Sequence, residues 1–534
     1  MTQQATSPIR QPSVSRTPGW LAALAGVAAA AVALGIAEVI AVFTGARSAP
    51  LVAVGGVVVD TVPEPLKQFA IALFGVHDKT ALLIGTAVLL AGFAAVIGVA
   101  AARRPIVGDL GIAVFGLIGA VAAVTRPQLG VAAVLPALLG SLAAAMLLRA
   151  LVTGPLRPTG AAEPVSPAAA DPVTMPGVGA ADRRRFLSAV GVSVGAAALA
   201  GASGRWAAQR RSVVTARAAV MLPAATDVAV PLPSGVDPQV PGLSRYVTAN
   251  SDFYRIDTAL VVPRIDPDQW QLRIHGRVAT EITVSYADLL GMDLVERYVT
   301  LACVSNEVGG DLIGNARWLG VPVRELLTAA GPLPGADQVV GRSADGWTCG
   351  TPTEALLDGR DALLAVGMNG EPLPVEHGFP VRMVMPGLYG YVSACKWITE
   401  LELTSFADFD AYWVPRGWSA QGPIKTQSRI DTPRQRAELA AGTVPVAGVA
   451  WAQHRGISAV EVRVDDGPWQ SATLAPAVSD DTWVQWVWQW PATPGEHVLT
   501  VRATDATGET QPEQRQSVAP DGATGWHTIR VTVA

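Results

Sequence analysis

Four stretches of about 20 almost uninterrupted apolar residues, at 20–43, 81–101, 107–124 and 129–148, crowd the first third of this 534-residue chain. An α-helix of about 20 residues spans about 30 Å of hydrocarbon. A chain carrying four of them divides between two solvents and does not fold as one water-soluble domain. Beyond about residue 210 the texture is that of an ordinary soluble protein, so the mean hydropathy of +0.34 averages two environments. A fifth stretch, 186–203, is shorter and rich in Ala and Gly. Residues 51–76 are apolar too, but Asp60, Pro63, Glu64, Pro65 and Lys67 interrupt them, which reads as a loop with an interfacial helix.

Positively charged short loops stay cytoplasmic. Arg10 and Arg16 precede the first span, Arg103 and Arg104 follow the second, and Arg149, Arg157 and Arg183 to Arg185 lie between the fourth and fifth. All fall on one side if the N-terminus is inside and five spans are crossed. Arg47, Lys67, Lys79 and Arg126 in the opposite loops weaken the bias without reversing it. Everything after about residue 203 then lies outside the cytoplasm. The sequence thus divides into a membrane domain at 1–152, a Pro/Ala/Gly-rich linker at 153–182, the fifth helix with its arginines at 183–203, and a second linker at 204–245.

The remainder has two textures. Residues 246–412 mix short strands, expected at 258–262 and 271–274, with short helices at 285–290, capped by Ser285, and at 323–330. No regular βαβ period joins them, so the region reads as α+β. From 413 to 534, Val460, Val462 and Val464 alternate with Glu461, Arg463 and Asp465, and Asp466-Gly467 marks a hairpin turn. Trp486, Trp488 and Trp490 share a face with Val484. Nine of the fifteen Trp lie between 411 and 534, a stripe that reads as core packing in an all-β sandwich rather than a ligand platform. The formal charge of −5, with no basic stripe, gives no reason to expect nucleic acid as a partner.

Only three cysteines occur, Cys303, Cys349 and Cys395. A free cysteine often packs as a small hydrophobe, yet a soft thiolate also suits a redox-active metal. Cys303 lies in TLACVSNEVGG, residues 300–310, followed by IGNARWLGVP at 313–322. A second block, HGFPVR at 377–382, runs into MPGLYGY at 385–391 and Lys396-Trp397. Over residues 246–534 the chain resembles the sulfite oxidase superfamily. That resemblance implies a molybdenum–molybdopterin cofactor whose one protein ligand is Cys303, with Asn306, Gly309 and Gly310 forming the turn that presents it. It implies that Arg382 and Lys396 hold the pterin phosphate, with His377 and Ser393 as hydrogen-bonding groups nearby. Asn250, Tyr254 and Arg255, in ANSDFYR at 249–255, and Ser343 are further candidates for the pterin. An immunoglobulin-like domain at 413–534, used for dimerisation in that family, is implied as well. A large cofactor is inserted before export, so Arg183-Arg184-Arg185-Phe186-Leu187, which resembles a twin-arginine signal, fits a domain that crosses already folded.

The pattern departs from sulfite oxidases in two places. Glu307 stands where those enzymes follow the Cys loop with arginines, and a carboxylate lining the pocket would repel sulfite. Trp347 stands at the place of their active-site tyrosine. Cys303, Trp347 and Glu307 are therefore the candidate catalytic residues, and the altered charge favours a neutral sulfoxide over sulfite. Cys349 and Cys395 read equally as a disulfide or as reduced thiols. The chain has no CysXaaXaaCysHis motif, and His77 is the one histidine before residue 204, so a haem with two His ligands from the membrane segment alone is excluded. Electrons must pass to a separate protein or a quinone. The reading is a multi-pass, extracytoplasmic molybdopterin oxidoreductase performing sulfite-oxidase-like oxygen-atom and two-electron transfer on a small molecule, with S-oxide or N-oxide reduction as the alternative. A non-enzymatic adhesion or assembly module is the rival from another class, disfavoured because Cys303, Arg382 and Lys396 occur together. A reporter fused after Arg245 is expected to be active only outside the cytoplasm, and Arg183→Lys with Arg184→Lys to block its export; reporter assays on membranes and culture fractions check both.

Overall fold

The computed structural model describes residues 18–63, 66, 73–74, 78–126, 129–153, 180–210 and 213–534. Most of the linker expected at 153–182 lies outside the described residues, as do parts of 51–76 and Arg10, Arg16, Lys67, His77 and Arg157. The chain divides into two compact units, Met1–Arg211 and Ser212–Ala534.

The first unit is helical: α1 Gly19–Thr44, α2 Pro50–Thr61, α3 Asp78–Arg103, α4 Pro105–Val124, α5 Leu135–Thr153 and α6 Ala180–Arg210. Among the described residues, four helical segments are long and apolar enough to cross a membrane by length and composition, Gly19–Thr44, Lys79–Arg103, Pro105–Val124 and Val131–Val152, and they coincide with the four stretches in the sequence. Residues 50–61, read as part of a loop with an interfacial helix, form a full helix opened by Pro50 in its first turn, where a missing N–H costs nothing. Helix α1 is the centre, with α3, α5 and α6 packed on it. Small residues permit that approach, since a side chain on Gly26 would overlap the Ala94 carbonyl of α3. Leu21, Ala25, Ala28 and Phe186 form the buried seam. Two ion pairs in this unit are Arg126 with Asp60 at 2.8 Å and Arg149 with Asp109 at 2.6 Å.

The second unit starts earlier than expected. Residues 213–245, read as part of a linker, are largely irregular but bound down. The helix α7, Val213–Ala219, sends Arg217 to the Leu373 carbonyl (2.7 Å) and Glu371 (3.0 Å). Thr226 N–H donates to the Leu294 carbonyl at 2.8 Å, and Asp237 accepts from Gln485 Nε2 at 2.9 Å.

The mixed region contains β1 Gln271–Gly276, β2 Ile282–Ser285, β3 Val295–Ala302, β4 Ile313–Pro322, β5 Gln338–Ser343, β6 Thr348–Pro352, β7 Leu363–Met368, β8 Glu371–Pro372, β9 Arg382–Val384 and β10 Ile398–Thr404. They make two sheets, β2-β1-β10-β5-β6 and β3-β4-β7-β8, with β9 paired to β7. Apart from the parallel β1/β10 pair every ladder is antiparallel. The helices expected at 285–290 and 323–330 are present as α8 Tyr286–Leu290, with a Ser285/Asp288 capping box, and α9 Val323–Ala330. The strand expected at 258–262 is not formed. That stretch follows Asp257, which turns inward to pair with Lys396 and Arg255, and Pro263 closes it, so its backbone has no ladder to join.

The C-terminal region is β-rich: β11 Gln427–Thr432, β12 Glu438–Leu439, β13 Gly442–Trp451, β14 Ile457–Val464, β15 Gln470–Ser471, β16 Thr473–Leu474, β17 Val484–Ala492, β18 Gly495–Asp505 and β19 His527–Val533. Sheets β11-β13-β17-β16 and β12-β19-β18-β14-β15 share one core, to which Val446, Trp486 and Trp490 come from the first and Val460, Val462 and Val501 from the second. Of the tryptophan stripe, Trp486 and Trp490 are buried and Trp488 is half-buried, as core packing requires.

Both parts of this unit close on Thr300 of β3. Its N–H donates to the Asp481 carbonyl (3.0 Å), its carbonyl accepts from Gln453 Nε2 (3.0 Å), and its hydroxyl accepts from Trp483 N–H (2.8 Å) while donating to Asn315 Oδ1 (3.0 Å). Thr300→Val keeps the shape and removes two of these bonds, leaving the Trp483 N–H buried and unpaired. We expect a loss of about 1–3 kcal/mol in stability, read as a lower midpoint in urea unfolding of the full chain in detergent.

Candidate active site

Cys303 is the first residue after β3, where the strand gives way to a tight turn. Its N–H donates to the Leu312 carbonyl (2.9 Å) and its carbonyl accepts from Asn306 N–H (3.1 Å). Asn306 is buried, and its Oδ1 accepts from Leu312 N–H at 2.9 Å, which fastens the loop's two ends together. Gly309 takes a φ of 80°, which L side chains rarely adopt, and the next turn closes through Gly310 N–H to the Glu307 carbonyl at 2.8 Å. The thiol itself is half-buried. Burial pushes its pKa up, while hydrogen bonds from Ser305 and the nearby Lys396 charge oppose that rise.

Lys396 belongs to a cluster of cations. Its Nζ lies 2.7 Å from Asp257 and 4.7 Å from the centre of the Trp397 ring. Burial still drags its pKa down to about 8. Arg255 binds the same carboxylate at 2.8 Å. Arg382, the first residue of β9, is buried, stands 5.1 Å over the Trp318 ring and donates Nη1 to the His377 carbonyl at 3.2 Å. Among the described residues no carboxylate forms an ion pair with it, and burial lowers its pKa to about 10. His377 is buried and donates Nε2–H to the Asn250 carbonyl (3.2 Å). Burial, Arg382 and Lys396 hold its pKa down at about 4, so it is neutral near pH 7. The Tyr254 hydroxyl feels both Cys303 and Arg382, and burial raises its pKa. Cys303, Tyr254, His377, Arg382, Lys396 and Arg255 are thus one group.

The other expected residues are placed differently. Asn250 contributes its backbone carbonyl, because its side chain is engaged by Glu371 (2.6 Å) and Asn369 (2.8 Å). The Ser393 hydroxyl is turned onto the Leu388 and Tyr389 carbonyls, 3.0 Å each. Ser343 and Trp347 flank the β5–β6 turn, which reaches the cluster's edge through Ala344 N–H to the Trp397 carbonyl (2.8 Å). Glu307 is exposed, while its neighbour Asn306 is buried and ties the loop to Leu312. Cys349 and Cys395 are free thiols, both fully buried.

Sequence reasoning missed two residues. Asp257 joins Arg255 to Lys396, and its only signal was a charge two positions from Arg255. Tyr389 is buried with its hydroxyl accepting from Lys425 N–H (3.4 Å), and its pKa, pushed up to about 12 by burial, is also raised by Cys303. It stood inside the MPGLYGY block, where an aromatic reads as core.

These residues fit a pterin phosphate. Buried Arg382, half-buried Lys396 and exposed Arg255 lie together with Asp257 paired to the last two, and a buried guanidinium without an anion is a costly arrangement that a phosphate completes. Among the described residues no three His, Cys, Asp or Glu side chains cluster as a metal site, so a metal at Cys303 would take its other ligands from the cofactor. The neutral histidines also set an acid limit. His377 and His527 titrate near 4 in the folded chain against an ordinary 6.5. Unfolding therefore takes up protons between about pH 6.5 and 4, and stability is lost as pH falls through that window. His527→Asn should flatten part of that fall in urea titrations of the cofactor-free protein.

Residues 259–413 match the oxidoreductase molybdopterin binding domain family. The chain is 29% identical over 346 residues to the mitochondrial sulfite oxidase of Macaca fascicularis, covering 54% of this chain and 62% of that one, so it spans about three fifths of that relative's length. It is 32% identical over 157 residues to the uncharacterized oxidoreductase YuiH of Bacillus subtilis, covering 76% of that protein. Among solved structures, the sulfane dehydrogenase SoxCD of Paracoccus pantotrophus aligns over 54% of this chain and 82% of its own, at 23% identity and a TM-score of 0.48. With the Cys303 loop, the cation cluster, the domain match and the sulfite oxidase and YuiH relatives together, the chain belongs to the sulfite oxidase superfamily of molybdopterin-binding oxidoreductases.

Proposed function

We propose that this chain is a membrane-anchored, extracytoplasmic oxidoreductase that moves an oxygen atom and two electrons to or from a small substrate, with Cys303 as the protein ligand to molybdenum. The observation that carries this reading is Arg382, a buried cation without a carboxylate, in one group with Tyr254, His377 and the Cys303 thiol. Bound there, a molybdenum pterin supplies two-electron redox chemistry and an exchangeable oxygen atom. The protein's own part is positioning and electrostatics. Arg382, Lys396 and Arg255 take the pterin phosphate, and Asp257 keeps Lys396 and Arg255 aimed when the phosphate is away. Lys396 loses its proton as pH rises through about 8, so cofactor retention weakens above that pH. Neutral His377 donates a hydrogen bond without adding a fourth positive charge. Tyr254 and Tyr389, whose hydroxyls burial keeps protonated, hold hydrogen-bond donors beside the thiol. Ser343, Ser393 and Asn250 act on the cofactor from the rim, through the turns they hold, and Trp347 forms part of the substrate wall.

Sulfite is the substrate we favour. The exposed Glu307 carboxylate acts through solvent, where charge is screened within about 8–10 Å, so the argument for a sulfoxide loses force. The arginine distribution and the Arg183–Arg185 run support export with the second unit outside, and electrons leave to a separate protein or a quinone. We read the C-terminal region as immunoglobulin-like and as the surface of a homodimer, with membrane lipid around the helical unit.

Stoichiometric molybdenum in the purified wild-type chain is the test, and molybdenum-free protein made alongside cofactor synthesis would sink the reading. Cys303→Ser should abolish turnover with the fold retained, as judged by circular dichroism. Glu307→Arg is expected to change kcat/KM for sulfite by less than about tenfold, equivalent to about 1.4 kcal/mol, in steady-state assays run beside a sulfoxide.

A further inference from the structure

The Cys303 loop is not held by the mixed region alone. Arg429, on β11, is buried and donates Nη1 to the Gly310 carbonyl at 2.6 Å. Its guanidinium is aimed by Asp431, 2.6 Å from Nε, and by Ser244, whose hydroxyl accepts from Nη2 at 3.0 Å. His527, the first residue of β19, lies against Gly309 so closely that any side chain there would overlap the imidazole. Ile430 N–H donates to His527 Nδ1 at 3.0 Å, which fixes the neutral tautomer with its proton on Nε2 and fixes the plane of the ring. One strand, β11, thus supplies Arg429 to one glycine of the turn and orients, through Ile430, the ring that backs the other.

Resting on the molybdenum reading, we propose that Arg429 and His527 are positioning residues of the metal site: the C-terminal β-rich region sets the Gly309-Gly310 turn and thereby the direction in which Cys303 presents its sulfur. Neither touches the thiol. Their effect passes through three backbone bonds of the loop, Gly310 N–H to the Glu307 carbonyl, Asn306 N–H to the Cys303 carbonyl and Cys303 N–H to the Leu312 carbonyl, and through Leu312 N–H to Asn306 Oδ1. Groups that orient a metal ligand from behind typically change affinity or activity by about 10–100-fold when removed. A role in stability alone would lower the melting point and leave the metal's ligand field unchanged.

The full chain is tested both with and without its cofactor. Without it, Cys303 is half-buried while Cys349 and Cys395 are fully buried, so alkylation by iodoacetamide well below the melting temperature reads the loop. Arg429→Met and His527→Leu should raise that rate at least about tenfold, whereas His527→Asn, which keeps an acceptor for Ile430 N–H, should stay near wild type. With cofactor bound, the first two should shift the electron paramagnetic resonance spectrum of the reduced metal centre and lower kcat per molybdenum, with KM unchanged. Should either of them fail to fold, Arg429→Lys, which loses the planar fork but keeps the charge, takes its place with the same shifts expected in smaller degree. Wild-type alkylation rates and spectra in folded variants of lowered melting point would overturn the proposal. If the wild type carries no molybdenum, the oxidoreductase reading fails, while unchanged alkylation in the variants would refute the loop's control by Arg429 and His527 separately.

Discussion

Thr300 lies three residues before Cys303, and its backbone and hydroxyl together make four hydrogen bonds, three of them to the C-terminal β-rich region. Each group would cost free energy if buried unpaired, so the strand that delivers Cys303 adopts its full set of bonds only with that region docked. The dependence extends outward. Asn315, which accepts from Thr300, donates to the Tyr246 carbonyl, and Trp483 Nε1 donates to the same carbonyl. The irregular segment before the mixed region, the β3–β4 pair and the C-terminal sheets are thereby one object rather than beads on a linker.

A second constraint is the burial of positive charge. Desolvating a guanidinium and an ammonium side by side is unfavourable, and among the described residues only Asp257 pairs with Arg255 and Lys396, leaving Arg382 to the Trp318 face and the His377 carbonyl. Folded proteins tolerate such a surplus where function demands it. Burial first, and neighbouring cations after it, depress the pKa values of Lys396 and His377, and an arriving phosphate would offset both.

The motifs carried much of this. TLACVSNEVGG and HGFPVR located the thiol and the cations, which lie far apart in sequence and together in space, and the alternation of Val460 and Val462 was enough for a half-buried strand. Where reading failed, a tertiary partner had intervened. Residues 258–262 look like a strand but follow an inward-turned Asp257. Residues 213–245 look like a linker but find donors and acceptors on two neighbouring layers. Glu307 and Asn306 are neighbours in sequence, yet one is exposed and the other buried, because Asn306 accepts from Leu312 N–H.

Local chemistry is legible along the chain: apolar length sets which helices can cross a membrane, capping by Ser285 starts a helix, and a cysteine in a glycine-closed turn offers a soft ligand. The groups that surround that cysteine are assembled by folding alone. Burial, Arg382's lack of a carboxylate, and the grip of Arg429 and His527 on the Gly309-Gly310 turn arise from residues more than 70 positions from Cys303. Desolvation and hydrogen-bond satisfaction are properties of the packed volume, and no local pattern along the chain encodes them.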